Sequence, residues 1–182
     1  MSLEKIMDDY NPWEEAHSDR QSENNEMYAL LGRYVSEFEK LMSMLRGWLD
    51  DNLTMEEFDE FQASLRLALV TELSERQVYN VLRTSLSALY DKENGEDYKN
   101  VIKKIDTCIN ERNKIVHSEW RIDVHDEWGY LNIDNAYERI KLKNTKRGLE
   151  HDSEIVDENY LIEKIDNLKG SFDFIIKTLY RA

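Results

Sequence analysis

Residues 98–117 read YKNVIKKIDTCINERNKIVH, and this stretch decides the fold. Apolar side chains recur in it every three or four residues, the period of one face of an α-helix. These apolar positions are Tyr98, Ile102, Ile105, Ile109 and Val116. Arg112 lies in the same register, and a lone charge there is costly unless it meets a partner or faces a cleft. We predict a long amphipathic helix with an important arginine near its end.

Comparable apolar stripes on both sides of this helix predict a bundle. They run from Met27 to Trp48, from Phe58 to Leu69, from Val78 to Leu89 and from Leu161 to Leu179. Thr54-x-x-Glu57 and Ser74-x-x-Gln77 match the capping box that opens a helix. The predicted fold class is mainly α, an antiparallel helical bundle with short connections.

The hydrophobic period changes after Trp120. Residues 120–125 and 130–134 alternate like two short strands around a turn at 126–129, and residues 139–144 alternate like a third strand. Residues 146–157 read as a loop. We predict a small β-hairpin or three-stranded insertion, about residues 119–145, before the last helix.

The domain organisation predicted from these patterns is simple. Residues 1–21 are acidic, contain the only proline and read as a loosely ordered N-terminal arm. Residues 22–182 show no internal repeat, and we predict that they form a single helical domain carrying the β insertion.

Composition limits the classes of function. The 182 residues carry 38 acids and 24 Lys and Arg, a net charge of -14 that opposes nonspecific attraction to nucleic acid. The single cysteine, Cys108, lies on an apolar stripe and is predicted to be a small core residue. No apolar run reaches bilayer length, and the acidic N-terminus lacks signal-peptide features, so we expect a cytoplasmic protein. Four scattered histidines form no metal-ligand pattern, and we expect no metal or cofactor.

Arg112 and Asn113, followed by His117, resemble the Arg-polar-x-x-x-His signature of HEPN domains (higher eukaryotes and prokaryotes nucleotide-binding). The setting is also similar to that family, with the signature late in a helical bundle and one helix still to come. The resemblance implies a HEPN-like fold and metal-independent cleavage of RNA through attack of the ribose 2′-OH. It also implies a homodimer, and many members of the family are toxins or abortive-infection components in phage defence.

Carried onto this chain, the resemblance assigns three catalytic residues. His117 is expected to act as general acid or base, Arg112 to brace the phosphate, and Asn113 to orient His117 or bind a phosphate oxygen. These chemical types suit the task, because a guanidinium matches phosphate oxygens and imidazole changes charge near neutral pH. The end of a helix also favours a protonated imidazole.

Helix geometry places a condition on this site. Five residues turn an α-helix by about 140° net, so Arg112 and His117 diverge on an undistorted helix, whereas Asn113 and His117 share a face. For Arg112 and His117 to act on one phosphate, the helix must loosen at its end or a second subunit must contribute. We expect a homodimer whose contact runs along this helix.

The candidate RNA-binding residues are Lys114, Arg121, Lys141 and Lys143. Basic side chains near a nuclease site are expected to contact the RNA backbone. The alternative for the stretch from Arg139 to Arg147 is a solvated strand face. We expect neither DNA nor a membrane as partner, and a protein inhibitor or other partner is left open.

Other roles for the signature residues also stay open. Arg112 is equally suited to a structural ion pair with an acid of another helix, and His117 to capping the last carbonyls of its own helix. At the level of the whole chain, the alternatives are a non-catalytic helical interaction module and a HEPN domain that binds nucleotides without cutting RNA.

Overall fold

The structure is a computed structural model that describes residues 12–52, 60–88, 95–122, 136–145 and 148–180. Within these ranges the chain forms five helices and three strands. Their order is α1 (Pro12–Asn52), α2 (Glu60–Glu72), α3 (Glu75–Ser87), α4 (Gly95–Val116), β1 (Glu119–Ile122), β2 (Ala136–Thr145), β3 (Gly148–Asp157) and α5 (Glu158–Leu179). The predicted class is confirmed: the protein is mainly helical, with a small antiparallel sheet before the last helix.

Internal contacts divide the chain into two compact units. The helical unit comprises residues 33–118 and 162–182, and the sheet unit comprises residues 1–32 and 119–161. Both α1 and α5 therefore contribute to each unit. The predicted single domain over residues 22–182 stays a prediction.

The core of the helical unit follows the predicted stripes. Every member of this core is at most 8% exposed: Tyr34, Phe38, Leu41, Leu45 and Trp48 on α1, Val78, Leu82 and Leu86 on α3, Tyr98, Ile105, Cys108 and Ile109 on α4, and Ile165, Leu168, Ile175 and Leu179 on α5. Cys108 is thus a small core residue, as predicted. Val116, which the stripe placed inside, is 37% exposed, and its neighbour Ile115 is buried instead.

Polar contacts show how the helices of this unit run. Arg66 Nε on α2 contacts Asp50 Oδ1 on α1 at 2.7 Å, and the α3 residues Glu75 and Arg76 contact Arg112 and Asp106 on α4. Arg46, one turn before Asp50 on α1, donates to the carbonyl of Leu73, which follows α2, so the order of contacts is reversed between α1 and α2. The first residues of α3 likewise contact later positions of α4 in reverse order, so both helix pairs are antiparallel. The capping box predicted at Ser74 opens α3, with Ser74 N donating to Gln77 Oε1 at 2.9 Å.

Residues 12–21 of the predicted N-terminal arm are helical, because α1 begins at Pro12. That they belong to a loosely ordered arm stays a prediction. Proline suits a first helical position, since its fixed φ is already helical and its missing N–H has no intrahelical acceptor to lose. The other residues of the predicted arm, 1–11, lie outside the described residues.

The apolar stripe assigned to α2 is wrong for Leu65 and Leu69, and the side chains of its first two members, Phe58 and Phe61, lie outside the described residues. Leu65 and Leu69 are 51% and 61% exposed, whereas Val70 is buried beside the α1 residues Ser43 and Gly47. Leu65, Ala68 and Leu69 form a regular spacing, but the side of α2 that faces α1 carries Arg66, which pairs with Asp50, and Val70. The predicted capping box at 54–57 lies outside the described residues.

The sheet differs from the predicted insertion in extent. β1 confirms the start of the first predicted strand and β2 contains the third, but the strand predicted at 130–134 lies outside the described residues. Residues 148–157, predicted as loop, form β3 and pair with the whole of β2. The insertion therefore reaches residue 157, where Asp157 Oδ1 accepts a hydrogen bond from Tyr160 N at 3.0 Å and caps α5.

The register of β2 and β3 explains why β3 could not be predicted from the sequence. Charges rather than alternating apolar residues match across the pair: Arg139 is registered with Glu154, Lys141 with Asp152 and Lys143 with Glu150. Opposite charges at facing positions stabilise a strand pair. A strand of this kind has no hydrophobic alternation to detect, although Val156 is buried.

Candidate functional site

The site is built at the end of α4. The helix ends at Val116, and His117 lies in the turn that follows. Ser118 Oγ donates a hydrogen bond to the carbonyl of Lys114, which satisfies one of the last helical carbonyls. That carbonyl is capped by Ser118 and not by His117, so the imidazole is left for other contacts.

The three signature side chains meet in this turn. Arg112 Nη1 donates to Asn113 Oδ1 at 3.2 Å and lies 3.4 Å from His117 Nε2. The divergence of about 140° that a regular helix imposes is overcome because His117 is outside the helix and the arginine side chain is long. The condition that the helix must loosen at its end is therefore met within one chain.

The contact between Arg112 and His117 has a chemical consequence. A guanidinium carries only donors, so its Nη1–H group can donate to Nε2 only when that nitrogen carries no proton. The ring proton of a neutral His117 must then be on Nδ1. In that tautomer Nε2 carries a lone pair and can accept a proton.

Arg112 is incompletely paired. Its Nη2 lies 3.6 Å from Oε1 of Glu75, which is an ion pair but too long for a hydrogen bond. Its Nε is buried and has no hydrogen-bond partner among the described residues, and its Cζ lies 5.8 Å from the ring centroid of Phe38. An unsatisfied buried donor costs about 1–3 kcal/mol, but the Nε of Arg139 is buried in the same way. What distinguishes Arg112 is the loose contact of its Nη2 with Glu75.

The alternative role of Arg112, a structural ion pair with an acid of another helix, thus has a partner in Glu75, but the contact is loose. Glu75 is the acid from another helix that this alternative required, and the distance shows a loose pair. Neither Glu75 nor Phe38 could be found from a local pattern, because residues 37 and 74 positions away share no helical period with Arg112. The only signal for Glu75 was its place at the start of α3, next to the capping box.

A second charged cluster anchors the other side of α4. Glu111 contacts Lys114 Nζ at 2.7 Å and Lys164 Nζ on α5 at 3.1 Å. Burial raises the pKa of the Glu111 carboxyl, but the hydrogen bonds from the two lysines lower it by more, so that its pKa lies below the usual value. The contact with Lys164 joins the last turns of α4 to α5.

Glu111 also borders a cavity of about 580 Å³ between α1, α4 and α5, whose lining includes Tyr34, Lys104, Cys108 and Ser171. Burial raises the pKa of the Cys108 thiol, which keeps it protonated and unreactive. Arg112, Asn113 and His117 are not part of this lining. This cavity and the signature are therefore separate features of the helical unit.

The four candidate RNA-binding residues fall in both units. Lys114 is exposed in the helical unit, where it pairs with Glu111, and Arg121 is exposed on β1, where it pairs with Glu119 at 2.8 Å. Hydrogen bonding to Glu119 raises the pKa of the Arg121 guanidinium. Lys141 and Lys143 lie on β2, each opposite an acid of β3. RNA binding by these residues stays a prediction, and an acid accompanies each of them in contact or in register.

Within the described ranges, no group of three His, Cys, Asp or Glu side chains is arranged to hold a metal ion. None of the described helices combines the length and the apolar character that crossing a membrane requires. No protein-family model, curated protein or solved structure matches this chain. What the chain can do must therefore be argued from the geometry around Arg112.

Proposed function

We propose that this protein is a metal-independent endoribonuclease of the HEPN type. The observation that carries the proposal is the convergence of Arg112, Asn113 and His117, with Arg112 Nη1 within 3.2 Å of Asn113 Oδ1 and 3.4 Å of His117 Nε2. A guanidinium beside an imidazole supplies both charge stabilisation for a phosphate and a group that moves a proton. The incomplete pairing of Arg112 supports a role towards a ligand that carries negative charge.

The proposed reaction is an internal transesterification. The 2′ oxygen of a ribose attacks the adjacent phosphorus, and its proton passes to His117 Nε2. Arg112 braces the phosphorane through Nη1 and Nη2, and Asn113 keeps the guanidinium oriented. The bond from phosphorus to the 5′ oxygen breaks, and this oxygen leaves with its electron pair and takes up a proton. The products are a 2′,3′-cyclic phosphate and a 5′-hydroxyl.

Substrate binding also releases the base. In the free protein Arg112 Nη1 points at His117 Nε2, the atom that must receive the proton. A phosphate is a stronger acceptor for a guanidinium than a neutral imidazole, because the hydrogen bonds are between opposite charges. The phosphate therefore draws the guanidinium towards itself and leaves Nε2 available to the 2′-OH.

The reaction needs an acid as well as a base, and this supports the homodimer. One imidazole that takes the 2′ proton is not positioned to protonate the 5′ oxygen on the opposite side of the phosphorus. A second copy of the chain contributes another imidazole if the two α4 ends meet. Val116, adjacent to His117, is an exposed apolar side chain that such a contact would cover.

The test is cleavage of RNA by the purified protein in EDTA. We expect 2′,3′-cyclic phosphate ends, which are lost in Arg112→Ala and in His117→Ala and retained in Arg83→Ala. Arg83 is an exposed arginine of α3 and serves as the matched control. Absence of cleavage, or cleavage that survives His117→Ala, would contradict the proposal, and a strict monomer in light scattering would contradict the two-copy site.

A second candidate function is a non-catalytic interaction module. Leu65, Leu67 and Leu69 on α2 are each more than half exposed, which is unusual for three leucines within five residues. If the RNA assay shows no cleavage and a change of Leu65 and Leu69 to Ser abolishes a stable assembly, this second function replaces the first.

A further inference from the structure

We infer that Glu75 is a positioning residue for Arg112: it turns the guanidinium so that Nη1 faces Asn113 and His117 while Nη2 stays open to a phosphate. The inference rests on the proposed function where it concerns cleavage. Its structural part, the orientation of Arg112 by Glu75, can be measured without any substrate. No feature of the signature itself includes this residue.

The position of Glu75 is determined by the start of α3. Ser74 caps this helix, with Gln77 N donating to Ser74 Oγ at 3.4 Å and Ser74 N donating to Gln77 Oε1 at 2.9 Å. Glu75 is the first helical residue, where the helix dipole favours a carboxylate. The Glu75 side chain is therefore held at a capped helix end, where it faces Arg112.

The geometry around the guanidinium separates two roles. Nη1 donates to Asn113 and faces His117, whereas Nη2 has Glu75 Oε1 at 3.6 Å. At this distance the carboxylate attracts the guanidinium, but the Nη2 hydrogens are not used in a hydrogen bond. Glu75 thus orients the guanidinium of Arg112 without using the Nη2 hydrogens that a phosphate needs.

Phe38 completes the support from a third helix. The Arg112 Cζ lies 5.8 Å from its ring centroid, within the range of a cation–π interaction. The ring restricts movement of the guanidinium on the side away from solvent, since Phe38 is fully buried. With Phe38 on that side and Glu75 beside Nη2, the guanidinium keeps one orientation before a ligand arrives.

A matched control exists on the same two helices. Arg76 and Asp106 form another ion pair between α3 and α4, with Nη1 and Oδ1 2.9 Å apart. Asp106→Asn removes the same charge from the same helix interface and leaves Arg112 untouched. If Glu75 only helped to hold α3 on α4, its removal and the removal of Asp106 would have the same consequences.

The kinetic test compares single-turnover cleavage of RNA by Glu75→Ala, Glu75→Gln and Asp106→Asn, after thermal unfolding has shown that each is folded. We expect Glu75→Ala to lower the rate at saturating RNA by about tenfold or more, with little change in the RNA concentration that gives half the rate. Glu75→Gln keeps the shape of the side chain but removes the charge that attracts the guanidinium at 3.6 Å, so it is expected to lose a similar part of the rate. Asp106→Asn is expected to match the wild type.

The same change in an Arg112→Lys background tests whether Glu75 acts through Arg112. A lysine has no planar guanidinium to orient, so Glu75→Ala is expected to have little further effect on cleavage in the Arg112→Lys background. An equal loss in both backgrounds, or equal losses in Glu75→Ala and Asp106→Asn, would overturn the inference.

A measurement without RNA keeps the inference separate from the proposed function. Long-range ¹H–¹⁵N spectra report which ring nitrogen of His117 carries the proton and whether Nε2 is hydrogen-bonded. We expect both nitrogen shifts to change in Glu75→Ala and to stay constant in Asp106→Asn. Unchanged shifts in Glu75→Ala overturn the inference even if RNA is cleaved. Changed shifts in a protein that cleaves no RNA retain the inference and remove the nuclease.

Discussion

Arg112 in the helical unit and Arg139 in the sheet unit are both arginines drawn into the protein, and they differ in how they are paired. The side chain of Arg139 is 7% exposed, and its Nη2 donates to Glu154 on the neighbouring strand. The side chain of Arg112 is 20% exposed, and its Nη2 lies 3.6 Å from Glu75 Oε1, which is beyond hydrogen-bond length. The Nε of each arginine is buried without a hydrogen-bond partner among the described residues, so the two differ in the contact of Nη2. Arg139 has the surroundings of a structural arginine, and Arg112 does not.

The difference comes from the secondary structure around each residue. The register of β2 and β3 places Glu154 directly opposite Arg139, so the strand pairing itself supplies the counter-charge. On α4, the neighbours three and four residues from Arg112 are Cys108, Ile109, Ile115 and Val116, and none can pair with it. A partner for Arg112 must come from another helix or from a ligand.

The largest expected effect separates the two arginines by activity. Arg112→Lys keeps the charge but loses the planar fork, and we expect RNA cleavage to fall by about 100-fold. The free energy of unfolding is expected to change by less than about 1 kcal/mol, because the ion pair with Glu75 is long. Single-turnover kinetics and urea denaturation measure the two quantities. Normal cleavage with a large loss of stability would make Arg112 structural.

Arg139→Ala is expected to show the opposite behaviour. The free energy of unfolding should fall by about 1–3 kcal/mol, less than for a fully buried ion pair because the half-exposed Glu154 left behind can be hydrated. Cleavage per folded molecule should be unchanged, since the signature lies in the other unit. A loss of cleavage without a loss of stability would remove the distinction between the two arginines.

The smallest effect concerns the cluster beside Arg112 and depends on pH. The ion pairs of Glu111 lower its pKa from 4.5, so they stabilise the folded protein above this value and lose their effect as the pH falls through the lowered pKa. Glu111→Gln should therefore reduce the free energy of unfolding at pH 7, by at most about 1 kcal/mol because water screens the pair. Denaturation curves between pH 7 and pH 3 should converge with those of the wild type. A gap that widens in acid would contradict this assignment.

Local patterns predicted the helices well and the sheet poorly. The stripe in residues 98–117 and the capping box at Ser74 depend on neighbours within one or two helical turns, and both are present in the structure. The sequence did not predict β3, because the stability of this strand depends on pairs with β2, such as Arg139 with Glu154, that only the register brings together. The prediction of the buried side of α2 was wrong for a related reason. The side of α2 that packs on α1 depends on contacts between the two helices, such as the ion pair of Arg66 with Asp50.

The sequence by itself determined which residues carry the candidate chemistry. Arg112, Asn113 and His117 are close in the chain, and their side chains suit a phosphate whatever the fold. Tertiary structure decided how these side chains are oriented: α4 ends before His117, α3 supplies Glu75, and α1 supplies Phe38. The physical reason is range. A helical period is set by neighbours a few residues away, whereas the orientation of a guanidinium is set by charges and rings on other helices.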